Sequence, residues 1–161
     1  MKALSLTQPW ASLVAVGAKR VETRNWTTSY RGPIAIHASK YFPKDAKDLI
    51  WQEPFLGCLR QAGLVTFNIF IGVAGAGEAR LPVGGVVATA ALSDVWRINR
   101  VGDADRWALS TQEIAFGDYG VGRYAWFLRD IKLLPEPIAA KGSLGLWEWE
   151  RPAVPIEIPR S

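Results

Sequence analysis

Glycine and proline interrupt this chain so often that long helices have little room in it. Its 161 residues include 15 glycines and 10 prolines, which in a helix interior cost about 1 and about 3 kcal/mol each relative to alanine. Between them lie short apolar segments, most of them patterned as strands. Residues 2–6 read as a strand. Thr7 is placed to cap a helix with Pro9 in its first turn, setting Trp10, Leu13 and Val14 on one face, and Gly17 suits the position just past its end. Residues 20–26 have no helical period and read as extended, with Arg20, Glu22, Arg24 and Trp26 on one side. Arg31-Gly32-Pro33 signals a turn into a buried strand at 34–38, and 43–62 is helical with a break at Pro54 and Gly57. Residues 64–85 show no clean period. Strands follow at 86–95, 124–134 and 144–149, with a short helix around 104–109, and the proline-rich residues 151–161 read as a tail. Regular strand–helix alternation is missing, which disfavours a parallel doubly wound sheet. The expected fold is α+β, a small mixed β-barrel flanked by helices, in one domain over 1–150.

Composition narrows the class further. Hydrophobic residues at 49% and charged residues at 21% are the balance of a folded globular chain. The single cysteine, Cys58, has no internal disulfide partner, and no Cys/His cluster has zinc spacing. The first ten residues lack the apolar core of a signal peptide. The longest apolar run, 64–77, contains Asn68 and falls short of the roughly 20 residues that span a bilayer. No membrane partner is expected, and the expected compartment is cytoplasmic. Gly72-Val73-Ala74-Gly75-Ala76-Gly77-Glu78 lacks the Lys-Ser/Thr ending of a phosphate loop, and Ser143 does not sit in a nucleophile elbow. With His37 the only histidine, a metal would rely on carboxylates. No cofactor is implied, and a divalent metal is left open.

The net charge of +4 is unevenly placed. Residues 1–44 carry Lys2, Lys19, Arg20, Arg24, Arg31, Lys40 and Lys44 against Glu22 alone, so this quarter is +6 and the remainder −2. Such a field suits a polyanion, either single-stranded RNA or a nucleotide. Within it, Gly17-Ala18-Lys19-Arg20-Val21-Glu22-Thr23-Arg24 gathers a lysine, an acid and an arginine where a helix gives way to a strand. Glu22 can hold the two cations in a partly dry pocket, leaving Lys19 and Arg24 toward an anion or a carbonyl. The competing reading is a surface ion-pair ladder worth under about 1 kcal/mol.

Gly17-x-Lys19-x-x-Glu22-x-Arg24 resembles the G-x-K-x-x-E-x-R signature of the ASCH domain, the activating-signal-cointegrator homology family. Leu4-Ser5-Leu6-Thr7-Gln8-Pro9-Trp10-Ala11 is similar to the family's opening, Gly32-Pro33-Ile34-Ala35-Ile36-His37-Ala38-Ser39 to its next strand, and Gly142-x-x-Gly145-Leu146-Trp147 to its closing one. The resemblance implies a barrel like the pseudouridine-synthase-and-archaeosine-transglycosylase (PUA) domain, with a cleft at the signature for RNA or a modified base. It also implies one of several activities. Some ASCH proteins are credited with RNA cleavage. Others, the bacterial acetylcytidine amidohydrolases, use the signature lysine and carry threonine where this chain has Glu22. A non-catalytic reader of a modified base is the third possibility.

Lys19, Glu22 and Arg24 are therefore the catalytic candidates. In RNA cleavage the 2′-OH attacks its own phosphate, Glu22 or His37 takes the proton, and Lys19 and Arg24 stabilise the phosphorane. In deacylation Lys19 activates water and Glu22 orients it. Trp10 and Trp26 offer indole faces to a base, although most of eight tryptophans must be core. Arg31 and Lys40 are phosphate-contact candidates, and His37, on the side of its strand away from Ile34 and Ile36, is an acid–base candidate. Tyr124 and Lys141 are candidates to close the cleft from the C-terminal half.

Overall fold

Two long antiparallel strands, β6 (Gly85–Arg97) and β7 (Tyr124–Ala139), form the spine of the molecule. The computed structural model describes residues 1–66 and 77–152. Around the spine stand β1 (Lys2–Leu6), β2 (Val21–Arg24), β3 (Gly32–Ala38) and β8 (Leu146–Glu148), giving one mixed six-stranded sheet in the order β2-β7-β6-β3-β1-β8. Only β1 and β3 run parallel; every other pair is antiparallel. A two-residue pair, β4 (Val65–Thr66) and β5 (Glu78–Ala79), lies apart. Five short helices complete the described chain: α1 (Trp10–Ala15), α2 (Lys44–Leu49), α3 (Phe55–Gln61), α4 (Asp103–Arg106) and α5 (Thr111–Ala115).

The curl of this half-barrel comes from irregularities in its long strands. The β6–β7 register shifts three times, and the largest jump sets Val87 alone against residues 134–137. Such bulges bend a strand and sharpen its twist. Pro135 and Pro137 fall inside that jump, which is how β7 continues five residues past the expected end at 134. Proline cannot donate to a ladder and is tolerated where none is required.

The sheet buries both faces at its centre. Leu4, Leu6, Ile34, Ile36, Ala88, Ala90, Leu92, Trp126 and Leu128 pack with Ala11, Val14 and Ala15 of α1. On the opposite face Ala3, Ala35, Val86, Leu134 and Trp149 form a smaller cluster. A third, around Leu13, Phe55, Leu59 and Phe116, seats α3 against α1.

Most expected elements stand, with corrections at their ends. The extended segment at 20–26 is a strand only over Val21–Arg24. The helix over 43–62 is two helices that part before Pro54, and the helix near 104–109 is the single turn Asp103–Arg106. Thr7 does not cap α1. Gln8, fully buried, does so: its Oε1 accepts the N–H of Ser12 at 3.0 Å while its Nε2 donates to Pro82 O and Ser12 Oγ. Helix α5 was not expected at all, and the expected tail beyond residue 152 lies outside the described residues.

Trp126 is completely buried against Trp26, their rings 4.6 Å apart and edge to face. Replacing Trp126 with alanine is expected to cost about 3–5 kcal/mol. Urea unfolding checks this, and a loss under about 1 kcal/mol would contradict its place in the core.

Candidate functional site

Gly17 ends α1 in a left-handed turn (φ +79°), which glycine adopts without steric cost. Its N–H reaches Val14 O, and the N–H of Lys19 reaches Leu13 O. The chain therefore folds back over the last helical turn and carries Lys19 inward. The Lys19 side chain is fully buried; its ammonium donates to Val21 O and stands 3.5 Å from Glu22 Oε2. Glu22 Oε1 is 3.1 Å from Arg24 Nε, and Arg24 Nη2 donates to Ser5 O at 2.7 Å.

Two residues apart on β2, Glu22 and Arg24 leave the strand on one side. Their register partners on β7 are Trp126 and Tyr124, and paired residues share a face. A line of charges, positive–negative–positive, thus lies against the aromatic core, with Glu22 only 12% and Arg24 24% exposed. The surface ion-pair alternative is set aside by this burial. Lys19 and Arg24 against Glu22 leave a net +1. Arg24 Nε is buried and, although near Glu22, has no acceptor in line with its N–H.

A residue from far along the chain holds this strand in place. The Glu113 carboxylate accepts the backbone N–H groups of Arg20 and Val21 at 2.9 and 3.0 Å. The Ser110-x-x-Glu113 spacing is a helix-start signal, and Ser110 Oγ does accept the Glu113 N–H. Instead of reaching back to Ser110, however, the Glu113 side chain crosses to β2. Nearby, the Tyr119 hydroxyl is buried without a hydrogen-bond partner. Burial first, then the carboxylates of Glu113 and Glu22, push its pKa up, so it stays a neutral donor. Arg123 adds a bond from Nη2 to Thr23 O. Of these, only the Ser110–Glu113 spacing was visible in sequence.

Five of the remaining candidates gather in two places, and Trp10 and Arg31 lie outside both. Trp26 and Tyr124 join the signature, packed on the same core as Trp126. Trp10 belongs elsewhere, edge to face with Phe55 in the cluster beneath α3, and Arg31 is exposed, its guanidinium donating to Thr28 O and Tyr30 O. His37, Lys40 and Lys141 come together in a hollow of about 780 Å³, with Ser5, Ser39 and Ser143. Ser5 separates the two places: its carbonyl accepts Arg24, while its hydroxyl meets His37 Nδ1 at 3.0 Å and accepts Trp147 Nε1 at 3.2 Å.

His37, the acid–base candidate, is held on both ring nitrogens. It is buried, and Nε2 stands 3.0 Å from Ala140 O while Nδ1 faces Ser5. Burial lowers its pKa, with the Ala140 carbonyl opposing more weakly. A neutral ring donating from Nε2 and accepting at Nδ1 satisfies both contacts. A β-carbon on Gly142 would lie 2.5 Å from His37 Cε1, so the ring is wedged beneath that turn. Among the described residues no group of three His, Cys, Asp or Glu side chains is placed to hold a metal ion. No helix among them is long and apolar enough to cross a membrane.

The ASCH-domain family model matches residues 4–135. The chain belongs to the ASCH-domain family. It is 50% identical over 48 residues to human (Homo sapiens) activating signal cointegrator 1, a match covering 29% of this chain and 8% of that protein. The mouse (Mus musculus) protein of the same name is 56% identical over 36 residues, 22% of this chain and 6% of its own length. The match thus spans under a tenth of those relatives. In structure it is similar to the ASCH protein of Zymomonas mobilis, with TM-score 0.51, 19% identity, and coverage of 93% of this chain and 87% of that one. A single-substitution variant of that protein gives TM-score 0.53 at the same identity, covering 93% and 89%. At this identity the likeness establishes the fold alone.

Two outcomes follow from the geometry. Lys19→Met removes one partner of a buried pair, which is expected to cost about 3–5 kcal/mol in denaturant unfolding; a cost under 1 kcal/mol would place the ammonium in solvent. As the only histidine, His37 gives one ring Hε1 signal, expected to titrate below pH 6.5. The unfolded ring takes a proton that the folded one resists, so this contribution is complete above pH 6.5 and declines as pH falls below it. A midpoint at or above 6.5 would overturn the assignment.

Proposed function

We propose that the protein binds RNA or a nucleotide at the Lys19–Glu22–Arg24 cluster and hydrolyses the RNA strand there. The observation that carries this reading is a cluster of net charge +1 in which Arg24, still 24% exposed, stands beside a carboxylate. A phosphate supplies the balancing negative charge. Lys40 and Lys141, beyond Ser5, form no ion pair or hydrogen bond among the described residues and suit a neighbouring phosphate. Trp26 and Tyr124 are partly buried on the same core, and Tyr124 is the register partner of Arg24.

In this reading Glu22 accepts the proton of the ribose 2′-OH as that oxygen attacks the adjacent phosphorus. Arg24 stabilises the charge on the phosphorane as the bond to the 5′-oxygen breaks, leaving a 2′,3′-cyclic phosphate; the leaving oxygen takes a proton from water, and the hydroxide so formed takes the proton from Glu22. Lys19 holds Glu22 rather than touching substrate, because its ammonium is enclosed by Val21 O and Glu22. That enclosure also argues against deacylation in which Lys19 activates water. His37 takes no part.

End-labelled single-stranded RNA, followed in time with and without divalent metal, tests the reading. Cleavage is expected to fall roughly 100-fold or more in Glu22→Gln while RNA affinity is kept, and Arg24→Gln is expected to lose both. Intact RNA that binds in a salt-dependent way would replace hydrolysis with reading of a base. Acetate released from an acetylated nucleoside would replace it with amidohydrolase activity.

A further inference from the structure

On the opposite face of the sheet from Glu22, where β6 ends and β7 begins, three aromatic rings form a closed cluster. Trp96 and Phe127 lie 4.5 Å apart, Trp96 and Trp107 5.3 Å, and Trp107 and Phe127 6.0 Å. Each ring braces the other two, yet Trp96 remains 44% exposed. An indole held this firmly at the surface has already lost its rotamer freedom, so a flat ligand stacking on it meets little further ordering cost.

Beside it opens a hollow of about 880 Å³, lined by Trp96, Trp107, Arg97, Arg100, Arg106 and Asp103 among others. The three guanidinium groups are exposed and form no ion pair or hydrogen bond among the described residues. Asp103 is the one acid in the lining, and its carboxylate is already engaged: Oδ2 accepts the backbone N–H groups of Asn99 and Arg100 at 2.9 and 3.0 Å. Asp94 and Asp105 lie close in sequence but do not line the hollow. A net +2 therefore surrounds an exposed indole.

We infer that the Trp96–Trp107 cluster with Arg97, Arg100 and Arg106 is a second nucleic-acid contact, which stacks a base of a single strand on Trp96 and holds the flanking phosphates. Stacking needs only the π-face that every base has, and guanidinium groups meet phosphate oxygens two at a time. An acidic peptide would use the charge but leave the indole without a planar partner. The site also lies within one strand's reach of the first. Arg97 pairs with Tyr124 across β6–β7, and Tyr124 pairs with Arg24 across β7–β2. One row of side chains thus links the signature to the hollow around the strand ends. Stacking and phosphate contacts do not need a 2′-OH, so single-stranded DNA is also a ligand for this contact.

The test uses fluorescein-labelled single strands of twelve uridines and of twelve thymidines, with the full chain. Trp96→Ala is expected to weaken both about 5- to 150-fold, and Trp96→Phe to recover most of the loss. Arg100→Ala with Arg106→Ala is expected to lower the slope of log affinity against log salt by about 1.4. Because DNA has no 2′-OH to attack, its binding reports this contact whether or not the protein cleaves RNA. Unchanged affinity for both strands in Trp96→Ala, with the unfolding midpoint retained, would overturn the inference. So would tighter binding of polyglutamate than of either strand.

Discussion

An ammonium group sunk into the core of the half-barrel sets the terms for everything around it. A lysine cannot be left there without partners, because an uncompensated buried charge costs several kcal/mol. Lys19 therefore needs the Val21 carbonyl and the Glu22 carboxylate, and both lie on the first residues of β2. That requirement explains the left-handed turn at Gly17, the inward path of residue 19 and the direction of β2. It also explains Glu113: a strand entry carrying such a load is clamped at two backbone N–H groups by an acid ninety residues away. The setting of Arg24 rests on this framework, since its carboxylate neighbour is positioned by the lysine.

The framework was legible in sequence where the signal is local. Gly17 past a helix end, the period-two spacing of Glu22 and Arg24, and the apolar run at 34–38 each follow from short-range rules, and each is found in place. Expectations weakened where a neighbour distant in sequence decides. Thr7 has the chemistry of a cap, but Gln8 displaces it because Pro82 and Ser12 offer Gln8 buried partners. The strand expected over 124–134 runs on to Ala139, because a bulge opposite Val87 accommodates Pro135 and Pro137. His37, Lys40 and Lys141 were grouped with the signature, and the tertiary fold gathers them on the far side of Ser5 instead.

The same reasoning shows why the aromatic surface at Trp96 was invisible in the chain. Trp96, Trp107 and Phe127 come from β6, the segment after α4 and β7, and no spacing connects them. What a one-dimensional pattern does reveal is abundance: eight tryptophans are more than the core around Trp126 and Trp149 fully encloses. Burial decides which of them face solvent, and it is a property of the assembled sheet.

The irregular second half of β7 also shapes how this molecule behaves in a crowded solution. Strand β2 pairs with β7 only through residues 124–127, so the remaining margin of a sixteen-residue strand has no β2 ladder alongside it. An open margin of that length is a template on which another chain can add a strand. Here it carries Arg129, Asp130, Lys132 and Glu136 with two prolines, and Asp130 adopts a positive φ of 49°. A strand arriving from outside would meet missing donors, alternating charge and a kinked path. Among the described residues, the bend that shapes the half-barrel thereby also makes this margin a poor template for a further strand.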